Sequence, residues 1–466
     1  MTTAIKANHR MANRLFLALA TTLLAVTFLT LQAITPARAA VKIQEVTSPG
    51  GITAWLVEDY TVPIIAVRFA FSGGSVQDPQ GKEGLTNLMT GLFDEGADEL
   101  DAEAFQERLD DVGAEIGFEA GLDSVYGAMR MLADSRAEGF DLLRLAVTAP
   151  RFDDAPLERI RAQILTGIQR NMRDPNTLGR DQFARALYGE HPYAKRSEGT
   201  AETLASITAQ DLHTLHGRTF AKDNLNIAVV GAIDAQALAA ELDRVFGALP
   251  SAPQLEPIAK AELKLGQEVR YDYPLPQATL QLVYPGIERE DPEFFAAFLM
   301  NQMLGGGTFS SRLFDEVREK RGLAYGVGSG LVTRDYAEML TIGTSTRADR
   351  AQETLGVIRD VVAAMARDGV SEEELARAKT YLIGAYAINN LGSSSSVART
   401  LVELQKDKRG IDYIESRAAQ IEAVTPAQIK AAAERLLSAE PAVLVIGPAE
   451  NAAPAPEADE KPESDG

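Results

Sequence analysis

Polar and apolar positions along this chain fall into two rhythms. Pro63–Phe71 (PIIAVRFAF) alternates and is β-branched, which predicts a strand ended by Ser72-Gly73-Gly74-Ser75. Val41–Val57 reads as two short strands around the turn Ser48-Pro49-Gly50-Gly51. Gly84–Phe93 instead sets Leu85, Leu88, Met89 and Leu92 at helical spacing. Further helices are predicted over Ala102–Val112, Arg136–Ala149, Pro156–Met172 and Ala209–Arg218. Gly113–Met131 has strand character, and Leu225–Val230 reads as a strand ending at Gly231.

The second half repeats the first. Thr208–Leu212 recurs at Thr425–Ile429, Asn226–Gly231 at Ala442–Gly447, Phe152–Leu157 at Val370–Leu375, and Asp78-Pro79 at Asp291-Pro292. The offsets are 217, 216, 218 and 213 residues, too close to one value for chance. The expected fold class is α+β, with two homologous tandem domains over 40–250 and 268–448. Each should be a mostly antiparallel sheet with helices packed on one face. A linker, 251–267, joins them and begins Pro-rich. The end of the chain, 449–466, carries six acidic residues, three prolines and no aromatic, and is expected to be a disordered tail.

Leu304–Tyr325 (LGGGTFSSRLFDEVREKRGLAY) departs most from simple patterning. Gly305, Gly306 and Gly307 open it, Ser310 and Ser311 start an expected amphipathic helix, and Gly322 closes that helix before Tyr325. The glycines fit either a helix N-terminus needing permissive backbone angles or a mobile loop approaching an extended peptide. A phosphate loop is excluded, because no Gly-Lys-Ser/Thr follows.

Charge and composition narrow the function. The chain has 466 residues and a net charge of −20. Lys6, Arg10 and Arg14, the uncharged run Leu15–Leu31 and Ala37-Arg38-Ala39 predict an export signal over 1–39, cleaved before Ala40, with no stable membrane anchor. That segment holds four basic and no acidic residues, so the remainder has 46 − 4 = 42 basic against 66 acidic side chains, or −24. Such acidity argues against nucleic acid as a partner. The absence of cysteine removes disulfides, thiolate metal sites and a Cys nucleophile, and for an exported chain fits a bacterial periplasm. His191, before Pro192, reads as structural. His213 and His216 share a helical face but lack an evident acidic third ligand. Ser393–Ser396 lacks a nearby His and reads as a flexible loop, and Asp98–Asp111 as a solvated acidic helix face.

The tandem layout, the helix start after Phe152-Asp153, His191-Pro192-Tyr193 and above all Leu304–Tyr325 resemble the M16 metallopeptidases, the zinc peptidases related to insulinase, pitrilysin and the mitochondrial processing peptidase. The resemblance covers the chain from the end of the signal to Pro448. It implies an inverted His-x-x-Glu-His zinc motif on the first long helix, its histidines binding metal and its Glu acting as general base. Gly84-Leu85 and Phe93…Gly96 set the register, and the three chemical positions are then Asn87, Thr90 and Gly91. The third ligand, a Glu, would fall near Thr166-Gly167. All are lost, so no cofactor is expected in this chain. The resemblance also implies an assisting Arg and Tyr, which match Arg318 and Tyr325, with Arg321 as the competitor for the Arg role. It further implies peptide binding by a Gly-rich loop such as Gly305–Gly307. The expectation is a non-catalytic subunit whose partner is a zinc-bearing M16 chain and whose substrates are unfolded or short peptides. The alternative is a structural or peptide-binding protein like the respiratory-complex core proteins that share the fold.

Overall fold

The computed structural model describes residues 41–449, so the expected signal segment and the tail beyond Ala449 lie outside the described residues. Among the described residues thirteen strands form two large sheets and one small ladder. The first sheet contains β1 (Gln44–Thr47), β2 (Thr53–Glu58), β3 (Ile64–Ser72), β6 (Glu115–Ala120), β7 (Ser124–Leu132) and β8 (Leu225–Gly231), in the order β1-β2-β8-β3-β7-β6. The second contains β9 (Glu268–Asp272), β10 (Gln277–Pro285), β11 (Ala324–Arg334), β12 (Ala337–Arg347) and β13 (Ala442–Gly447), in the order β11-β12-β10-β13-β9. The two-residue strands β4 (Gly96–Ala97) and β5 (Leu100–Asp101) pair with each other.

The repeat is structural. Reading the first sheet from β6 inward gives β6-β7-β3-β8-β2, which matches β11-β12-β10-β13-β9 strand for strand. The one parallel pair of each sheet also corresponds, β2 with β8 and β9 with β13. Even the caps repeat. Thr208 with Asp211, and Thr425 with Gln428, form capping boxes at the starts of the helices Ala209–Thr219 and Pro426–Leu437. In each box the Thr hydroxyl accepts from the third backbone N–H while the facing side chain accepts from the Thr N–H.

Each sheet packs its own helices on one face, as expected. Its other face takes a helix from the opposite half. Helix Pro175–Tyr188 lies on β9 and β13, with Phe183, Leu187 and Tyr188 in one apolar cluster with Val269, Leu444 and Ile446. Helix Ser394–Lys406 lies on β3 and β8 in return. Its Gln405 amide donates to Ile227 O at 2.9 Å and accepts from Ile227 N at 3.3 Å, just before the stretch where β8 pairs with β2. The linker is tied down as well. The Gln77 amide donates to Glu256 O at 3.0 Å and accepts from Glu256 N at 2.8 Å. Residues 43–449 therefore belong to one compact unit.

Two expectations need correction. The serines 393–396 are not a loop, because the Ser393 side chain accepts from Ser396 N and caps the helix Ser394–Lys406. Leu304–Tyr325 is not a loop followed by a regular helix. The helix Phe294–Asn301 runs on into a π turn over Gln302–Gly306, closed by Gly307 N donating to Gln302 O at 2.8 Å. A 3₁₀ turn at Thr308–Ser310 follows. Ser311 then caps a three-residue α turn, Arg312–Phe314, and a second π turn covers Asp315–Glu319. Widened turns of this kind concentrate at functional sites.

Candidate functional site

The helix onto which the resemblance maps the zinc-motif positions is short, Leu85–Thr90. Asp78 holds its N-terminus. One carboxylate oxygen accepts from Gly84 N, and the other from Thr86 N, each at 2.9 Å. Burial without a facing cation pushes the Asp78 carboxyl up to about 6. Asn87 is half-buried, and the Thr90 hydroxyl turns back to donate to Asn87 O at 2.9 Å. Gly91 caps the C-terminus and meets the helix Asp154–Asn171, since a Cβ there would lie 3.0 Å from Ile160 Cγ2. On that second helix Thr166 donates to Ala162 O at 2.8 Å, and a Cβ on Gly167 would meet nothing within 4 Å. The two helices stand side by side, but their side chains do not fit a zinc ion. They offer an amide, two hydroxyls engaged with backbone, and two glycines.

The histidines are structural. His216 hydrogen-bonds through Nε2 to Val147 O at 2.8 Å, and burial pushes its imidazole down to about 4. His213 rests edge-on against Phe152 at 5.0 Å. His191 accepts from Tyr193 N at 3.1 Å and caps the turn Pro192–Ala194. Among the described residues no group of three His, Cys, Asp or Glu stands together to hold a metal ion.

Arg318 and Tyr325 do come together. The Arg318 guanidinium lies between two rings, 4.7 Å from the Phe314 centroid and 5.0 Å from that of Tyr325. Phe309 extends the stack, edge-on to Phe314 at 5.2 Å. Arg321 is engaged elsewhere, donating to Glu316 O at 2.8 Å and pairing with the Glu316 carboxylate. Arg318, not Arg321, therefore faces the tyrosine. Gly322, at φ +59°, turns the chain from the second π turn into β11. A bulge between Ala324 and Val327 then throws Tyr325 outward, 88% exposed. Thr344 and Thr346 fasten the bulge by donating to Gly326 O and Leu323 O at 2.7 and 2.6 Å. Bulges at sheet edges characteristically re-aim one side chain.

Gly305 abuts the same strand, and Gly306 and Gly307 press back on their own helix and π turn. A Cβ on Gly305 would sit 2.6 Å from Ser329 N, one on Gly306 2.9 Å from the Asn301 amide nitrogen, and one on Gly307 2.8 Å from Gln302 O. None of them has a positive φ, so close approach is what demands them here.

Sequence reading missed Gly326, Gly328 and Gly330. They alternate along β11, the outer strand of the second sheet. None has positive φ, and an added Cβ would meet nothing within 4 Å at Gly326 and only ordinary contacts at 3.6 and 3.9 Å at the other two. The fold has room for side chains there, and one face of an edge strand is left bare. Their period of two was the available signal.

A family model described as peptidase M16 inactive domain matches residues 206–382. An uncharacterized zinc protease of Mycobacterium leprae is 30% identical over 421 residues, covering 86% of this chain and 91% of that protein. A Helicobacter pylori protein named non-peptidase homolog YmxG is 23% identical over 348 residues, 74% of this chain and 79% of its own. Among solved structures, the peptidase M16 inactive domain from Pseudomonas fluorescens matches with a TM-score of 0.81 at 31% identity, over 88% of this chain and 98% of that one.

Proposed function

The chain belongs to the peptidase M16 family, and from that premise we propose that it is the non-catalytic subunit of an exported heterodimeric zinc peptidase. A partner M16 chain would bring His-x-x-Glu-His and its zinc. This chain would complete the peptide-binding chamber and lend Arg318 and Tyr325 to the partner's scissile site. One observation carries the reading. The guanidinium–phenol pair is intact and presented outward on a fastened bulge, while the zinc positions of the same chain hold no ligand. An exposed phenol can donate to a peptide carbonyl oxygen as negative charge develops on it. Arg318, stacked between two rings, would fix that phenol and offer its remaining donors to the substrate backbone. Unfolded or short peptides would add along β11 over its bare glycine face. The expected export signal and the acidic composition suit a bacterial periplasm.

The experiment is to purify this chain alone and with an exported zinc-bearing M16 chain, and to assay cleavage of unfolded peptides. The proposal expects activity only in the pair, lost on Arg318→Ala with Tyr325→Phe. Zinc-dependent activity of the isolated chain would overturn it, as would full activity of the doubly substituted pair. The Helicobacter pylori name favours a second reading, a peptide-binding or structural M16-fold protein without a peptidase role. That reading expects the double substitution to change nothing in any complex the chain forms.

A further inference from the structure

The helix Phe294–Asn301, the strand β11 and the helix Tyr413–Glu422 leave a cavity of about 590 Å³ between them. Phe294, Phe298 and Tyr413 give it an aromatic wall, and Gly306 lies at its border. Neither Arg318 nor Tyr325 lines it. Two other guanidiniums do.

Arg289 donates from Nε to Asp407 at 3.0 Å and from Nη2 to the Tyr413 hydroxyl at 2.6 Å. Its third nitrogen, Nη1, is buried and has no hydrogen-bond partner. Arg417 is only 6% exposed. It donates to Leu382 O at 3.2 Å and lies 4.3 Å from the Tyr386 ring centroid. Its foremost electrostatic neighbours are Tyr413, Tyr386 and the second cation Arg289, with no carboxylate among them. A buried guanidinium without a counter-ion is strongly unfavourable unless something completes it. Tyr413 accepts from Arg289, so its own O–H remains to be given. The nearby carboxylates are already engaged, Asp407 by Arg289 and Glu403 by Lys406 at 3.5 Å. The cavity thus has donors converging on it, an excess of buried positive charge and apolar walls.

We propose that this cavity binds a peptide carboxylate next to an apolar residue, held by Arg289, Arg417 and the Tyr413 hydroxyl. A carboxylate is planar and takes paired guanidinium N–H donors, while the rings receive the neighbouring side chain. The C-terminus of a bound peptide and an acidic side chain within it share this chemistry. The inference rests on the reading of this chain as a peptide-handling subunit only for its choice of ligand.

The test is isothermal titration of the full chain, without partner, with three probes: N-acetyl-Ala-Phe as the free acid, the same dipeptide as its amide, and N-acetyl-Glu-Phe amide. The free acid is expected to bind at least tenfold tighter than its amide. Equal binding of the Glu peptide assigns the site to acidic side chains as well, and its absence assigns it to C-termini. Arg289→Gln is expected to weaken the acid at least tenfold, with Arg377→Gln, an exposed change on the helix Glu372–Asn390, as the neutral control. Arg289 also holds Asp407, so Thr333→Glu, exposed on the rim, provides a second variant. It sets a like charge at the mouth and should weaken the acid about fivefold or more. The proposal is overturned if neither carboxylate probe binds more tightly than the neutral amide, or if Thr333→Glu leaves the affinity of the bound carboxylate unchanged. No turnover is measured, so such a failure leaves the Arg318–Tyr325 role standing.

Discussion

Tyr325 contributes almost nothing to the packing of its own chain, and that makes it a clean probe. At 88% exposure, its change to Phe should leave the thermal midpoint within a degree of the parent. In the reconstituted pair the same change should lower kcat/KM by about 10²-fold or more, the usual consequence of removing one oxyanion donor. Equal kcat/KM in both pairs would remove the tyrosine from the mechanism. Asp78 and His216 make a second pair of probes, because burial moves them in opposite directions. The Asp78 carboxyl titrates near 6 in the folded chain against an ordinary 3.8, so its contribution is present below pH 3.8 and lost as pH rises through 6. His216 titrates near 4 against 6.5, so its contribution is present above pH 6.5 and lost as pH falls through 4. Each amounts to roughly 3 kcal/mol, and between about pH 4 and 6 they offset. Urea unfolding across that range should show Asp78→Asn gaining stability with rising pH relative to the parent, and His216→Gln losing it. Parallel curves for all three proteins would contradict both assignments.

The strand β11 separates what the fold needs from what a ligand needs. Gly305→Ala pushes a methyl to 2.6 Å from a backbone nitrogen and should destabilise by about 1–3 kcal/mol. A Cβ at Gly328 meets only an ordinary contact and valine suits a strand, so Gly328→Val is expected to hold or raise the unfolding midpoint while abolishing peptide binding. A valine variant that binds peptide normally would show that the bare face is idle. This contrast marks the limit of what the sequence disclosed. Strands and helices with clean periods of 2 or 3.6 were legible, from Ile64–Ser72 to Ala209–Thr219, and the repeat announced the second sheet. The residue types at Asn87, Thr90 and Gly91 were legible too, because identity is visible without coordinates. The π turns were not, since hydrogen bonds to the fifth residue back leave no period to read. Nor was the choice of Arg318 over Arg321, which depends on Glu316 capturing the latter. The Arg289–Arg417–Tyr413 cluster brings Arg289 to a pair of residues more than a hundred positions away, beyond any local pattern.

Exchange of the helices Pro175–Tyr188 and Ser394–Lys406 joins the halves more tightly than a linker can. Without its visiting helix each sheet would turn an apolar face, such as Val269, Leu444 and Ile446 on the second, to water. Residues 41–250 and 251–449 made separately are therefore expected to aggregate or stay unfolded, and to regain structure when refolded together. Calorimetry of the whole chain should give one cooperative transition. Two resolved transitions, or a folded monomeric half, would contradict this. The same exchange has a mechanical consequence. Bending the halves about the linker would drag each visiting helix across the foreign sheet it lies on, and would break the paired Gln405–Ile227 and Gln77–Glu256 contacts. The described chain is therefore expected to move as one rigid body. Spin labels on its two halves should keep one fixed separation with and without peptide, and in the proposed pair the mouth that admits substrate would open along the seam with the partner chain.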